Sequence, residues 1–230
     1  MRLNFAKKIK RIRLADNFFT EGVCFYLDGS GWAHKRNPCA NARTTRTRTW
    51  RKKGEGLNIS CTAKGKKEGT GGTVARFMVA IGYRRGVLGA FPYDGHLNGE
   101  KFAEFVSEKF PTLLENSINP TGRYFVQDNC PIQNSKVAVE AMGKVGAYRF
   151  KIPPRSPDLN PIENTFHLIG KKLHKDARDM HIEHETLVQF KDRIIKTLME
   201  YPRDIIDKTI ESMPRRIDAV IDGKGQRTKY

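Results

Sequence analysis

The chain has 230 residues, of which 38% are hydrophobic and 29% charged, and its formal net charge is +17. That length suits one large domain, and the apolar stretches are much shorter than the ~20 residues that span a bilayer, which argues against a membrane protein. The excess of Lys and Arg predicts an extended anionic partner, most commonly nucleic acid. An acidic membrane surface fits the charge too, although no Trp-rich amphipathic helix supports it.

Basic and apolar side chains are mixed along residues 2–21, with a spacing typical of an amphipathic helix. A nuclear import signal is one interpretation. A helix lying across the domain, or a remnant of a linker, is the interpretation that we favour. We therefore separate residues 1–20, a basic helix or linker remnant, from a main domain over residues 21–230.

Apolar runs further along predict five strands, at residues 23–27, 74–81, 87–93, 123–127 and 146–152, of which the second and third form an antiparallel hairpin. Helical spacing predicts a helix capped by Asn98, one near 133–142, one that contains Glu163, and two closing helices marked by apolar residues of 187–198 and 205–220. This order predicts an α/β fold, with a mixed five-stranded sheet flanked by helices.

A basic insertion, residues 31–73, separates the first two predicted strands and has little periodicity. Cationic side chains and Thr hydroxyls can bind phosphates, and a Trp can stack on a base. The alternative is a solvated loop with its Trp packed on the domain. We expect DNA binding by Lys35, Arg36, Arg43, Arg46, Arg48, Trp50, Arg51, Lys52 and Lys53.

The four cysteines form no CxxC pair, so we expect no structural zinc site and a reduced, intracellular setting.

Three carboxylates carry the strongest chemical signal: Asp28 and Asp128 each follow an apolar strand, and Glu163 begins a helix. Hard cations such as Mg²⁺ prefer carboxylate ligands, and two such ions can promote phosphoryl displacement. Each acid also has a structural explanation. Asp28 and Asp128 could begin turns, Glu21 is a rival for Asp28, and Glu163 could close a capping box with Asn160. The trio in a strongly basic chain favours the metal site.

Two motifs closely resemble the catalytic domain of Tc/mariner superfamily (DDE-type) transposases. The first is Asp128-Asn129-Cys130-Pro131, and the second is the string from Ser156 to Asn164, Ser-Pro-Asp-Leu-Asn-Pro-Ile-Glu-Asn, with 34 residues between the two acids. Tyr26-Leu27-Asp28-Gly29 and the stretch from Ser212 to Tyr230 also resemble that family. The resemblance runs from about residue 20 to residue 230.

The resemblance implies an RNase H-like fold in which Asp28, Asp128 and Glu163 bind two Mg²⁺ or Mn²⁺ ions. It implies hydrolytic cleavage at transposon ends, and then transfer of the freed 3′-hydroxyl to target DNA. The partners implied are transposon-end and target DNA, with a homodimer when two ends are paired, and we expect the protein to act in the nucleus.

Departures from the family pattern are Gly29, Gln133 and Phe166, where many relatives have an acid, His and Trp. The family's N-terminal DNA-reading domains have no counterpart, so the chain resembles a catalytic domain alone. One alternative is a transposase-derived DNA-binding or scaffolding protein that does not cut. Another, which the second motif makes less favourable, is a ribonuclease acting on RNA–DNA hybrids.

Overall fold

The computed structural model describes residues 1–12, 17–39 and 73–230. Five strands form one mixed sheet in the order β3-β2-β1-β4-β5: β1 (Val23–Ala33), β2 (Val74–Gly82), β3 (Gly86–Tyr93), β4 (Tyr124–Gln127) and β5 (Tyr148–Lys151). β1, β2 and β3 pair antiparallel, whereas β4 and β5 extend the sheet in parallel from β1. The predicted mixed five-stranded sheet and its hairpin are confirmed.

Seven α-helices lie in the described residues: α1 (Arg2–Arg11), α2 (Gly99–Glu115), α3 (Lys136–Lys144), α4 (Pro161–Asp179), α5 (Leu187–Met199), α6 (Arg203–Glu211) and α7 (Met213–Asp222). Short 3₁₀ turns at Ile132–Asn134 and Pro157–Leu159 precede α3 and α4, and a π-helical turn at Phe18–Gly22 precedes β1. The side chain of Asn98 caps α2 by accepting from the Lys101 N–H at 2.8 Å, as predicted. No helix in these three ranges is both long and apolar enough to cross a bilayer.

Side chains alternate along β1 between two buried cores, one on each face of the sheet. Tyr26 packs in the core beneath α4, α5, α6 and α7, and this core also receives Ala6 and Ile9 of α1. Phe25 and Leu27 pack in the opposite core, beneath α2 and α3. This period of two fixes the side of the sheet to which each later residue of β1 projects.

Helix α1 lies across the domain, as the favoured interpretation of the basic segment expects. It packs on α7 and ends at Arg11, so it is shorter than the helical pattern of residues 2–21. The guanidinium of Arg2 forms two hydrogen bonds with the Asp158 carboxylate, at 2.8 and 2.6 Å.

Three predicted boundaries are wrong. β1 continues beyond Leu27 to Ala33, because its second half stays paired with β2, so residues 31–33 belong to the sheet instead of the insertion. The helix near 133–142 begins at Lys136, where Ser135 caps it. The last predicted helix is two helices, since Pro214 has no N–H for the α6 ladder and instead lies in the first turn of α7.

Candidate active site

Asp28 lies at the point where β1 loses one of its two neighbours. Tyr26 is in parallel register with Val126, so continuing by two residues sets Asp28 beside Asp128, directly after the end of β4. Adjacent strands are about 4.8 Å apart, and residues in register project to the same face. Asp28 therefore lies within β1 and not at its end as predicted, but the neighbouring strand β4 ends beside it. Asp128 follows β4 as predicted.

The third acid reaches this point from α4. The helix packs on the Tyr26 face through buried Ile162, Phe166 and Ile169, and this leaves Glu163 at the open edge. The Asp28 and Glu163 carboxyl groups lie close enough for each to affect the pKa of the other. The structure thus brings Asp28, Asp128 and Glu163 together, while Glu21 lies in the π-helical turn before β1, at its other end.

Burial and like charge shift the acidity of two of these groups. Burial, followed by the negative charges of Asp128 and Glu163, raises the pKa of Asp28 to about 8, although the Gly29 N–H donates to Oδ1 at 2.7 Å. Partial burial and then the charge of Asp128 raise the pKa of Glu163. A cation would relieve this repulsion, because carboxylates held together disfavour each other's ionisation.

Asn160 is a residue of this site whose role the sequence interpretation missed. It stands at the N-cap of α4, with Pro161 next, but its side chain makes no capping hydrogen bond. Instead Nδ2 donates to Asp28 Oδ2 at 3.2 Å, and the side chain is only 1% exposed. The capping box proposed as the structural explanation of Glu163 is therefore wrong. An Asn before a helix can either cap that helix or bind a distant carboxylate, and the sequence alone does not distinguish these two roles.

Gln133 supports the second acid. In the amide orientation that satisfies both of its polar atoms, Nε2 donates to Oδ1 and to the main-chain oxygen of Asp128, each at 2.9 Å. The departure from His at this position thus retains a donor to Asp128.

The chemistry of these side chains suits a hard cation. Three carboxylates converge, and the buried Oδ1 of Asn160 has no hydrogen-bond partner in the described parts of the chain. However, no three His, Cys, Asp or Glu side chains within residues 1–12, 17–39 and 73–230 are grouped as a ready metal site.

An open cleft of about 430 Å³ leads to the acids. Its lining includes Asp128, Asn160 and Glu163, together with Pro153, Pro154 and Arg155 of the segment between β5 and α4. It is wide and solvent-facing, which suits a polymer backbone better than an enclosed small molecule.

The predicted basic residues are only partly described. Lys35 and Arg36 are exposed, and Lys35 lines a separate cavity of about 200 Å³ beside Leu173 and Phe190, more than two turns along α4 from Glu163. The structure does not bring Lys35 to the acids. Arg43, Arg46, Arg48, Trp50, Arg51, Lys52 and Lys53 lie outside the described residues, as does most of the insertion. The cysteines that are described, Cys24, Cys39 and Cys130, are free thiols.

The family profile described as DDE superfamily endonuclease matches residues 38–187 of the chain. That match covers more than half of the sequence and contains Asp128 and Glu163, whereas Asp28 lies before it. The chain belongs to the DDE superfamily endonucleases. The resemblance stated from the sequence motifs is confirmed at this level.

Curated relatives of this DDE endonuclease are transposases of the Tc1 group. It is 34% identical over 128 residues to the transposable element Tcb2 transposase of Caenorhabditis briggsae, and 30% identical over 135 residues to the Tc1 transposase of Caenorhabditis elegans. Each match covers 53% of this chain and 45% of the relative. The chain thus matches less than half the length of these relatives.

Solved structures confirm the RNase H-like fold. The catalytic domain of Mos1 mariner transposase superposes with a TM-score of 0.68 at 12% identity, over 99% of this chain and 94% of that one. A pre-cleavage Mos1 transpososome gives 0.72 at 14% identity, over 99% of this chain and 63% of that one. At these identities the likeness shows the fold.

Proposed function

We propose that this DDE endonuclease is the catalytic domain of a cut-and-paste DNA transposase, with Asp28, Asp128 and Glu163 as its catalytic and metal-binding residues. The observation that carries the proposal is the convergence of these three acids, from β1, β4 and α4, beside an open cleft that Asp128 and Glu163 line. The Tc1-group transposases among its relatives support the choice of reaction.

In this proposal the three acids hold two Mg²⁺ or Mn²⁺ ions, which activate the attacking oxygen and stabilise the leaving one. Structures of the Mos1 catalytic domain are described with Mg and with Mn, which supports this choice of ions. Asn160 would hold the Asp28 carboxylate in place, and Gln133 would hold that of Asp128. Binding of the ions would release the proton that the raised pKa of Asp28 keeps on its carboxyl group.

Two displacements would follow at the same acids. In the first, a water oxygen attacks the phosphorus at the transposon end and loses a proton, the P–O3′ bond breaks, and the leaving 3′ oxygen gains a proton. In the second, the freed 3′-hydroxyl attacks a phosphorus of target DNA, loses its proton, and displaces another 3′ oxygen, which gains a proton. One site can serve both, because water and the 3′-hydroxyl approach the same kind of centre.

Pairing of two DNA ends by two copies of the chain, a nuclear site of action, and phosphate contacts by the insertion, residues 31–73, belong to the same proposal. So does the division into residues 1–20 and a catalytic domain over 21–230. Paired-end Mos1 complexes among the structural relatives support the pairing.

The test is an assay with supercoiled plasmid and a short duplex that ends in a free 3′-hydroxyl, in Mn²⁺. We expect nicked plasmid, and plasmid joined covalently to the labelled duplex. A folded protein that binds both DNAs but neither nicks nor joins them would instead support the alternative, a DNA-binding or scaffolding protein derived from a transposase.

A further inference from the structure

A second cleft lies on the other side of Glu163. It has a volume of about 410 Å³ and is bounded by Pro157, Glu163, His167 and the segment Arg227–Tyr230, which we call the tail. The cleft that leads to the acids shares Pro157 and Glu163 with it. The two clefts therefore meet at Glu163, and a strand lying across the acids would continue into the second one.

The tail is fixed in place by the motif that also contains Glu163. The main-chain N–H and hydroxyl of Thr228 both donate to Oδ2 of buried Asp158, each at 3.0 Å. Tyr230 lies against the Arg216 guanidinium, 5.0 Å from its ring centre. Arg216 is 1% exposed and donates to the Asp158 carbonyl and to Asn164 Oδ1, each at 2.9 Å. These contacts hold the tail before any ligand binds.

Alternate residues of the tail face in opposite directions. Thr228 and Tyr230 are turned toward the protein and are half-buried, whereas Arg227 and Lys229 are exposed. Arg227 precedes Thr228, and Lys229 lies between Thr228 and Tyr230. Because Thr228 is anchored, the side chains of Arg227 and Lys229 are presented together along one wall of the cleft. His167, one helical turn after Glu163, is exposed on the same cleft.

The charge of this cleft is positive once its internal ion pair is counted. Asp158 is neutralised by the two hydrogen bonds from Arg2, so Glu163 is the acid that remains to oppose Arg227 and Lys229. Within the described chain, no ion pair with a carboxylate engages either cation; Lys229 lies 5.8 Å from the ring centre of Tyr230. Cations held in a groove without acidic partners are suited to phosphates.

We propose that the tail cleft binds the phosphodiester backbone of the DNA strand that continues beyond the reacting phosphate, with Arg227 and Lys229 each contacting one phosphate. This inference rests on the proposed function for the identity of the ligand, but its site is separate from the three acids. The tail residues position the strand and take no part in proton transfer.

The test is binding of a fluorescein-labelled duplex, measured by anisotropy in EDTA over a series of salt concentrations. We expect Arg227→Gln/Lys229→Gln to bind the duplex roughly 10–30-fold more weakly near physiological salt. The slope of log K against log salt should be shallower by about 1.8, the value for two lost phosphate contacts. Both side chains are exposed, so the melting temperature should stay that of the wild type.

The matched control is Lys136→Gln/Lys144→Gln on α3, which removes the same charge from two exposed side chains on the opposite face of the sheet. We expect it to keep the wild-type slope, and Arg227→Lys/Lys229→Arg to restore binding. A tail variant whose slope equals that of the wild type, or that weakens no more than the α3 variant, would overturn the proposal.

Plasmid nicking is measured separately, so the two proposals can fail separately. Wild-type nicking with an unaltered tail-variant slope refutes the tail cleft alone. If the salt slope is shallower in the tail variant but the wild type does not nick the plasmid, the tail cleft is supported and the cleavage function is refuted.

Discussion

Asn160 donates a hydrogen bond from Nδ2 to Oδ2 of Asp28 across 132 residues of sequence, at 3.2 Å in the buried interior. This contact joins the motif that begins α4 to the middle of β1. It fixes the carboxylate of an acid whose Oδ1 also accepts a hydrogen bond from the N–H of Gly29. The side chain that the sequence pattern assigns to a helix cap is thus committed to the candidate active site.

Replacing Asn160 by Ala should reduce nicking more than it reduces stability. The free energy of unfolding should fall by roughly 1–3 kcal/mol, since a buried hydrogen bond is lost, while Asp28 becomes free to rotate. Urea unfolding and plasmid nicking measure the two effects. Nicking equal to that of the wild type, in a variant that has lost stability, would show that Asn160 only supports the fold.

Stability without metal should depend on pH through Asp28. The pKa of Asp28 is about 8 in the folded protein and near 3.8 when unfolded, so the folded state binds the extra proton between these values. Stability therefore decreases as pH rises from about 4 to 8. Asp28→Asn should remove this part of the decrease and melt at a higher temperature than the wild type at pH 8. Equal slopes for the two proteins in thermal melts from pH 5 to 8 would contradict this.

Divalent ions should stabilise the protein, and more strongly at pH 8 than at pH 5, because the ligands must lose their protons. Millimolar Mg²⁺ or Mn²⁺ should raise the melting temperature of the wild type, and Asp128→Ala should abolish the rise. EDTA-treated protein without divalent ions provides the baseline. An identical rise in Asp128→Ala would place the ions elsewhere.

The ion pair between Arg2 and Asp158 should contribute to stability. Burial raises the pKa of Asp158, but the hydrogen bonds from Arg2 and Thr228 outweigh it and lower that pKa overall. Arg2→Ala leaves a buried carboxylate without its cationic partner, which costs about 3–5 kcal/mol. The pair's contribution is present above the unfolded pKa of about 3.8 and is lost as pH falls below it.

Lys10→Ala is the matched control, since Lys10 lies on the same helix as Arg2 but forms an exposed ion pair, with Asp218 of α7. It should change the midpoint of urea unfolding only slightly, because exposed pairs contribute little. If Arg2→Ala shifts the midpoint of urea unfolding as little as Lys10→Ala does, the role of the buried pair is refuted.

The sequence predicts the five strands and the hairpin of β2 and β3 well, because both follow from local patterns. The apolar run before Asp128, and the run Val23–Leu27 that contains Tyr26, are visible without coordinates. The length of β1 is not, since its second half is polar and is held by pairing with β2 alone. The role of Asn160 could not be predicted either, because the same side chain can serve as a helix cap or as a hydrogen-bond donor to a carboxylate. The tail cleft depends on contacts between Thr228 and Asp158, 70 residues apart.

The central claim is that Asp28, Asp128 and Glu163 together carry phosphodiester cleavage. The most direct measurement is nicking of supercoiled plasmid in Mn²⁺ by the wild type and by Asp28→Ala, Asp128→Ala and Glu163→Ala, each shown to be folded by circular dichroism. We predict nicking by the wild type and its loss, by at least about 100-fold, in all three variants. Nicking that persists in any folded variant would contradict the claim.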